Sequence, residues 1–234
     1  MGNFLFMPTS PFDSVLQSLD TFPVLGEAYA NDDYVPLDLC VNNPDLQAVN
    51  VSSSEDLETY IWNHIKTSKA KIAYGGYIEK RGIYNRSSHF NQQNKETERN
   101  IHLGIDLWIE VNTPIYTPLD AELHSFKDNF GFGNYGPTLI LKHSIDALEF
   151  YTLYGHLSKS SLNEKRVGEK IEKGQQIATL GTAKVNGDYP PHLHFQVIKD
   201  IEDYIGDYPG VSNQKDLEFY KTNCPNPNLL LRLE

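Results

Sequence analysis

Two short histidine strings, about ninety residues apart, constrain this chain more than any other feature of its 234 residues. The first is Ile101-His102-Leu103-Gly104-Ile105-Asp106. The second is Pro191-His192-Leu193-His194-Phe195, and Leu153-Tyr154-Gly155-His156-Leu157 falls between them. Four of the eight histidines and one aspartate lie in these strings, among aliphatic residues of strand type. Imidazole and carboxylate groups are the donors a zinc ion takes. A chain that uses them together must bring distant strands side by side.

The spacing carries the argument further. His192 and His194 are two apart, and side chains alternate along a strand, so both rings leave one face. His102 and Asp106 are four apart, which on an extended strand is about 13 Å of travel at about 3.3 Å per residue. Two ligands about 2 Å from one zinc cannot be held that far apart without a bend. Gly104 lies between them and can supply the bend or a bulge. A helix would also bring i and i+4 together. Ile101, Ile105 and Ile109, with Gly104 and Trp108, read better as strand.

Three protein ligands and one open position define a catalytic zinc site. His102, Asp106 and His194 would give that count. His156 and His192 are then left over, and imidazoles beside a metal site suit general acid–base work and transition-state stabilisation.

The strings HLGID, LYGHL and HLHF, in this order, resemble the lysostaphin-type (LytM-like) zinc metallopeptidases. The resemblance runs from about Arg99 to Val197. It includes Thr113-Pro114-Ile115-Tyr116-Thr117-Pro118, the glycine turn Gly131-Phe132-Gly133-Asn134-Tyr135-Gly136, and the stretch from Val167 to Ile177 with Gly168, Ile171 and Gly174. It implies Zn2+ held by the positions His102, Asp106 and His194. It implies that His156 and His192 activate water or stabilise the oxyanion. The implied fold is a two-sheet antiparallel β domain of the duplicated hybrid motif kind, and the usual substrate is a peptide of peptidoglycan type. The segment before the H-x-H departs from the family's glycine-rich loop and reads Thr182-Ala183-Lys184-Val185-Asn186-Gly187-Asp188-Tyr189-Pro190. This loop is expected to border the cleft.

Around that stretch the expectation is a mainly β chain in three parts. Residues 1–98 form an N-terminal extension, irregular apart from one helix at about 53–68. Residues 99–200 form the metallopeptidase domain, and residues 201–234 a tail packed on it. Ser52 and Glu55 fit a capping box for the helix, with Leu57, Tyr60, Ile61 and Ile65 at core-facing spacing. Residues 1–50 read as loops and turns, punctuated by five prolines. The Tyr, Gly and Arg mixture of residues 71–90 reads as a strand and turn packed on the sheet, with a substrate-contacting segment as the other reading. Gly131, Gly133 and Gly136 match G-x-G-x-x-G, but a strand rather than a helix follows, so a nucleotide loop is rejected.

The net charge of −11 argues against nucleic acid and anionic membrane surfaces as partners. Residues Met1 to Pro8 carry no positive n-region, and Pro8 cuts the apolar run, so no secretory signal is expected and a cytoplasmic location is the first expectation, with secretion as the alternative. Cys40 and Cys224 read as free thiols. Three functions are consistent with these residues: a zinc endopeptidase, an amide hydrolase acting on a non-wall metabolite, and a LytM-like binding module without catalysis. All five site residues are present, which favours an enzyme. The oligomeric state is not legible.

Overall fold

Alternation in the segment His192–Ile198 sends Leu193, Phe195 and Val197 to one face and His192, His194 and Gln196 to the other. All seven residues are buried. A strand buried on both faces requires a neighbour on each edge and a packed layer above and below, and the fold supplies all four.

The computed structural model describes residues 10–87, 90 and 97–233. The reading of Met1 to Pro8 lies outside the described residues, as do positions 88, 89 and 91–96. In chain order the elements are α1 (Pro11–Ser18), β1 (Tyr34–Pro36), α2 (Ser54–Thr67), β2 (Ile72–Gly75), β3 (Glu79–Lys80), β4 (Ile101–His102), β5 (Ile105–Trp108), β6 (Pro114–Tyr116) and β7 (Ala121–Asn129). There follow β8 (Gly136–Ile145), β9 (Leu148–Gly155), β10 (Lys170–Ile171), β11 (Gln176–Thr179), β12 (His192–Ile198), β13 (Val211–Ser212), α3 (Leu217–Asn223) and α4 (Asn228–Leu231).

The mainly β, largely antiparallel architecture is as expected. Eight strands form one sheet in the order β1-β2-β5-β12-β9-β8-β7-β10. Only the β1–β2 pair in it is parallel. Two small sheets, β11–β6 and β13–β4–β3, complete the set. β12 is central, between β5 and β9.

Three apolar clusters fix where the site lies. Leu193, Phe195 and Val197 of β12 join Ile105, Leu107, Leu139, Leu141 and Tyr154 on one face of the large sheet. On the other face, α2 contributes Leu57, Ile61 and Ile65 to a cluster with Ala73, Tyr84, Trp108 and Tyr189. A third cluster, with Leu103, Leu153, Ile198, Tyr208 and Cys224, brings the C-terminal segment onto the sheet. The rings of β12 lie on the face that the last two clusters share.

Several local readings change. Residues 1–50 are not all loop. Pro11, read as punctuation, stands at the first turn of α1, where its fixed φ suits a helix, and Ser10 Oγ accepts from Asp13 N at 3.1 Å as its cap. β1 and β2 join the large sheet, so the first 98 residues contribute two of its strands. α2 is capped by Ser53, not Ser52, with Oγ accepting from Asp56 N at 3.2 Å. Gly136 opens β8, so a strand does follow the glycine turn. Leu229 and Leu230 of α4 are buried against the main core, docking the tail.

Candidate metal centre

The string from Ile101 to Asp106 is two strands, not one. β4 belongs to the three-stranded sheet and β5 to the eight-stranded sheet, and the chain passes between them at Leu103-Gly104. This change of sheet removes the 13 Å problem. His102 Nε2 and Asp106 Oδ1 lie 3.3 Å apart. Gly104 is required by close approach: a Cβ there would stand 2.6 Å from His194 Cε1 and 2.8 Å from Phe195 O.

β12 supplies the third member. His194 pairs with Asp106 across β12–β5 and with Gly155 across β12–β9. His194 Nδ1 is 2.8 Å from His102 Nε2 and 3.1 Å from Asp106 Oδ1. His102, Asp106 and His194 are all buried, and their ligand atoms lie within 4.8 Å of one another. This is the set read from the sequence.

The outer hydrogen bonds decide which atoms face inward. His102 Nδ1 is 2.9 Å from Gly76 O, and a carbonyl only accepts, so Nδ1 carries the proton and Nε2 a lone pair. His194 Nε2 is 3.0 Å from Gln196 Oε1. The Gln196 amide nitrogen donates to Pro209 O at 3.2 Å, which turns its oxygen to the ring. His194 therefore donates from Nε2 and presents a lone pair at Nδ1. Burial, then the nearby Arg81 cation, pushes His102 down to about 3, so the ring is neutral at neutral pH. Burial works to raise the Asp106 carboxyl, and the Arg81 guanidinium at contact distance opposes it; the group is held well below the usual carboxylate range. Two imine nitrogens and a carboxylate oxygen thus converge within hydrogen-bond distance with no proton to share. Such a set fits a cation, and its N2O composition suits zinc.

His156 and His192 stand beside this set. Their ring centroids are 4.2 Å apart. His192 Nε2 is 3.7 Å from Asp106 Oδ1. His156 Nδ1 donates to Asn186 O at 2.8 Å and His192 Nδ1 to Pro190 O at 2.7 Å. Both rings are therefore held in the Nδ1–H form, which leaves Nε2 as the nitrogen for proton transfer. Burial is the leading cause that lowers both groups, and for His156 the neighbouring rings of His192 and His194 add to it. His156 has φ 63°, in the left-handed region. Backbone in that region costs about 1–3 kcal/mol and marks sites where the surroundings dictate the conformation.

A cleft of about 280 Å3 opens over these five residues, walled by Tyr84, Trp108, Tyr135, Tyr189 and Tyr208 among others. The loop Thr182–Pro190 borders it as expected, with Tyr189 and Pro190 in the wall. His64 lies away on α2, its Nε2 2.9 Å from Pro36 O. His143 is buried elsewhere, between Asp120 O and Thr152 Oγ1.

The sequence reading missed the outer partners. Residues 71–87 do pack on the sheet, and the same segment carries Gly76 O to His102 and Arg81 to Asp106. The available signal was a short strand with Glu79 and Arg81 on one side and Lys80 on the other. Gln196 was missed as well, although H-x-H-x-Q places it on the face of both histidines.

Residues 100–205 match the model of Peptidase family M23. The peptidoglycan DD-endopeptidase ShyA of Vibrio cholerae is 33% identical over 98 residues, which are 42% of this chain and 20% of that protein. ShyC of the same organism is 34% identical over 98 residues with the same coverage. The chain thus spans about a fifth of the length of these relatives. Among solved structures, the catalytic domain of the antimicrobial peptidase lysostaphin from Staphylococcus simulans aligns with 70% of this chain and 97% of its own, at 20% identity and a TM-score of 0.40. A zinc-containing peptidase from Vibrio cholerae aligns with 46% of this chain and 31% of its own, at 28% identity and a TM-score of 0.35. The matched stretch holds all five residues of the cluster and agrees with the resemblance read from the sequence. Over residues 100–205 the chain is similar to Peptidase family M23.

Proposed function

We propose that the chain is a zinc-dependent peptidase that hydrolyses an amide bond in peptides of peptidoglycan type or in other small peptides. The observation that carries this reading is the convergence of His102 Nε2, Asp106 Oδ1 and His194 Nδ1, three buried lone-pair donors with no proton between them. The two relatives are peptidoglycan DD-endopeptidases by name, which supports a cross-linked peptide as substrate.

Zinc, when bound, would supply a Lewis acid that polarises the scissile carbonyl and lowers the pKa of a water toward about 7. His102, Asp106 and His194 would hold it, leaving a fourth position open. His156 and His192 carry the proton. Each is neutral with Nδ1–H fixed on a backbone carbonyl, so Nε2 accepts a proton from the attacking water. The ring that takes this proton becomes an imidazolium, steadies the developing oxyanion by its charge and returns the proton to the leaving amine. Fixing both rings through Asn186 and Pro190 keeps them from turning away during the transfer. The aromatic walls exclude water and shape the cleft for an extended peptide.

The zinc-loaded protein should cleave a cross-linked muropeptide or pentaglycine, with product amines seen by mass spectrometry. His156→Ala and His192→Ala should leave the substrate intact. A folded, zinc-loaded protein that cleaves neither substrate would overturn the peptidase reading.

A further inference from the structure

Arg81 is 4% exposed and lies before the residues matched to the family. It follows β3, and its backbone N donates to Asn100 O at 2.9 Å, next to the strand that carries His102. Nε meets Glu79 Oε2 and Nη1 meets Asp106 Oδ2, each at 2.5 Å. The guanidinium carbon lies 5.4 Å from the Trp108 ring centroid. Glu79 is itself anchored, with Oε1 accepting from Leu39 N at 3.0 Å. A buried cation is thus fixed between two carboxylates, against a ring, by a rigid planar fork.

The two oxygens of Asp106 have separate partners. Oδ2 faces Arg81, and Oδ1 faces His102 Nε2, His194 Nδ1 and His192 Nε2. A carboxylate free at both oxygens can bind an ion through both and fill the open position. We propose that Arg81 is a positioning residue of the metal centre, holding Oδ2 of Asp106 so that Oδ1 alone is offered to the ion. This rests on the metal reading given above. Arg81 also places a positive charge near a cation, which opposes binding. Glu79 offsets that charge at contact distance.

The turn between β2 and β3, just before Arg81, orients a second ligand. Gly76 O accepts from His102 Nδ1, and a Cβ at Gly76 would collide with Arg81 Nη2. Ile78 in the same turn has φ 55°, unfavourable for a β-branched residue. The turn holds this conformation while presenting Gly76 O and Arg81 to two of the three ligands.

The test uses the full chain and the metal alone. Zinc affinity is measured by competition with a chelating dye for wild type, Arg81→Met, Arg81→Lys and His194→Ala, and Co2+ spectra report coordination number. Arg81→Met should bind zinc about 10–100-fold more weakly, the range seen when partners of metal ligands are removed. Its Co2+ visible absorption should weaken as coordination rises above four, and Arg81→Lys should recover part of the affinity and the spectrum. Unchanged affinity and spectrum in Arg81→Met, with His194→Ala unable to bind, would overturn this proposal alone. A wild type that binds no zinc would overturn the metal reading with it. Should Arg81→Met fail to fold, the zinc-bound structure of the unaltered chain decides: Asp106 bound through Oδ1 with Oδ2 on Arg81 supports the proposal, and bidentate Asp106 overturns it.

Discussion

His194 stands directly opposite Asp106 across the antiparallel pair of β12 and β5, with Nδ1 3.1 Å from Oδ1. Cross-strand neighbours hold their Cβ atoms about 5 Å apart without any loop having to order. Two of the three proposed ligands are thus set by sheet register, and the third by the change of sheet at Gly104. His194→Ala and Asp106→Ala should therefore fold and lose zinc. His156→Ala should keep zinc and lose about 10²–10⁴-fold in activity, the usual contribution of a positioned general base. Metal analysis of each variant beside its cleavage rate checks the separation.

Gly104 should tolerate no side chain. Its Cβ would meet both the His194 ring and the backbone oxygen of Phe195, and the latter cannot move without disturbing the central strand. Gly104→Ala should lose about 1–3 kcal/mol, the usual cost of overpacking, and bind zinc more weakly because the ring is displaced. A denaturant melt and a zinc titration on one sample measure both.

The left-handed backbone at His156 separates two otherwise similar variants. Alanine there keeps a Cβ that opposes φ 63°, and glycine does not. His156→Gly should be more stable than His156→Ala by about 1–2 kcal/mol, the cost of left-handed backbone for an L residue. Both should be inactive. Equal urea midpoints would remove the strain from the account.

The strings that hold the five clustered residues were legible, His192 and His194 through strand alternation and His156 through the family resemblance. The mainly β class followed from the same strands. The helix α2 was legible from Leu57, Ile61 and Ile65, with its cap misplaced by one serine. Arg81, Gly76 and Gln196 were not found, because they act through the atoms they hydrogen-bond and sequence spacing does not report such contacts. α1 was hidden because Pro11 looks alike as the start of a helix and as a turn. The strand β1 was hidden because three residues carry too little pattern.

Acid should destabilise the metal-free protein through His143. Burial pushes this ring down to about 4, against an ordinary value of 6.5. In the window from pH 6.5 to about 4 the unfolded chain binds this proton and the folded chain does not. The stability is full above pH 6.5 and is lost as pH falls toward 4, by at most about 3 kcal/mol. Urea midpoints across that window should fall more steeply for wild type than for His143→Gln.

Zinc stoichiometry, measured on the full chain and on His194→Ala, bears most directly on the metal centre. One ion per wild-type chain and none in the variant is the predicted result. A folded wild type that binds no zinc at neutral pH, or a variant that binds it equally well, would contradict it.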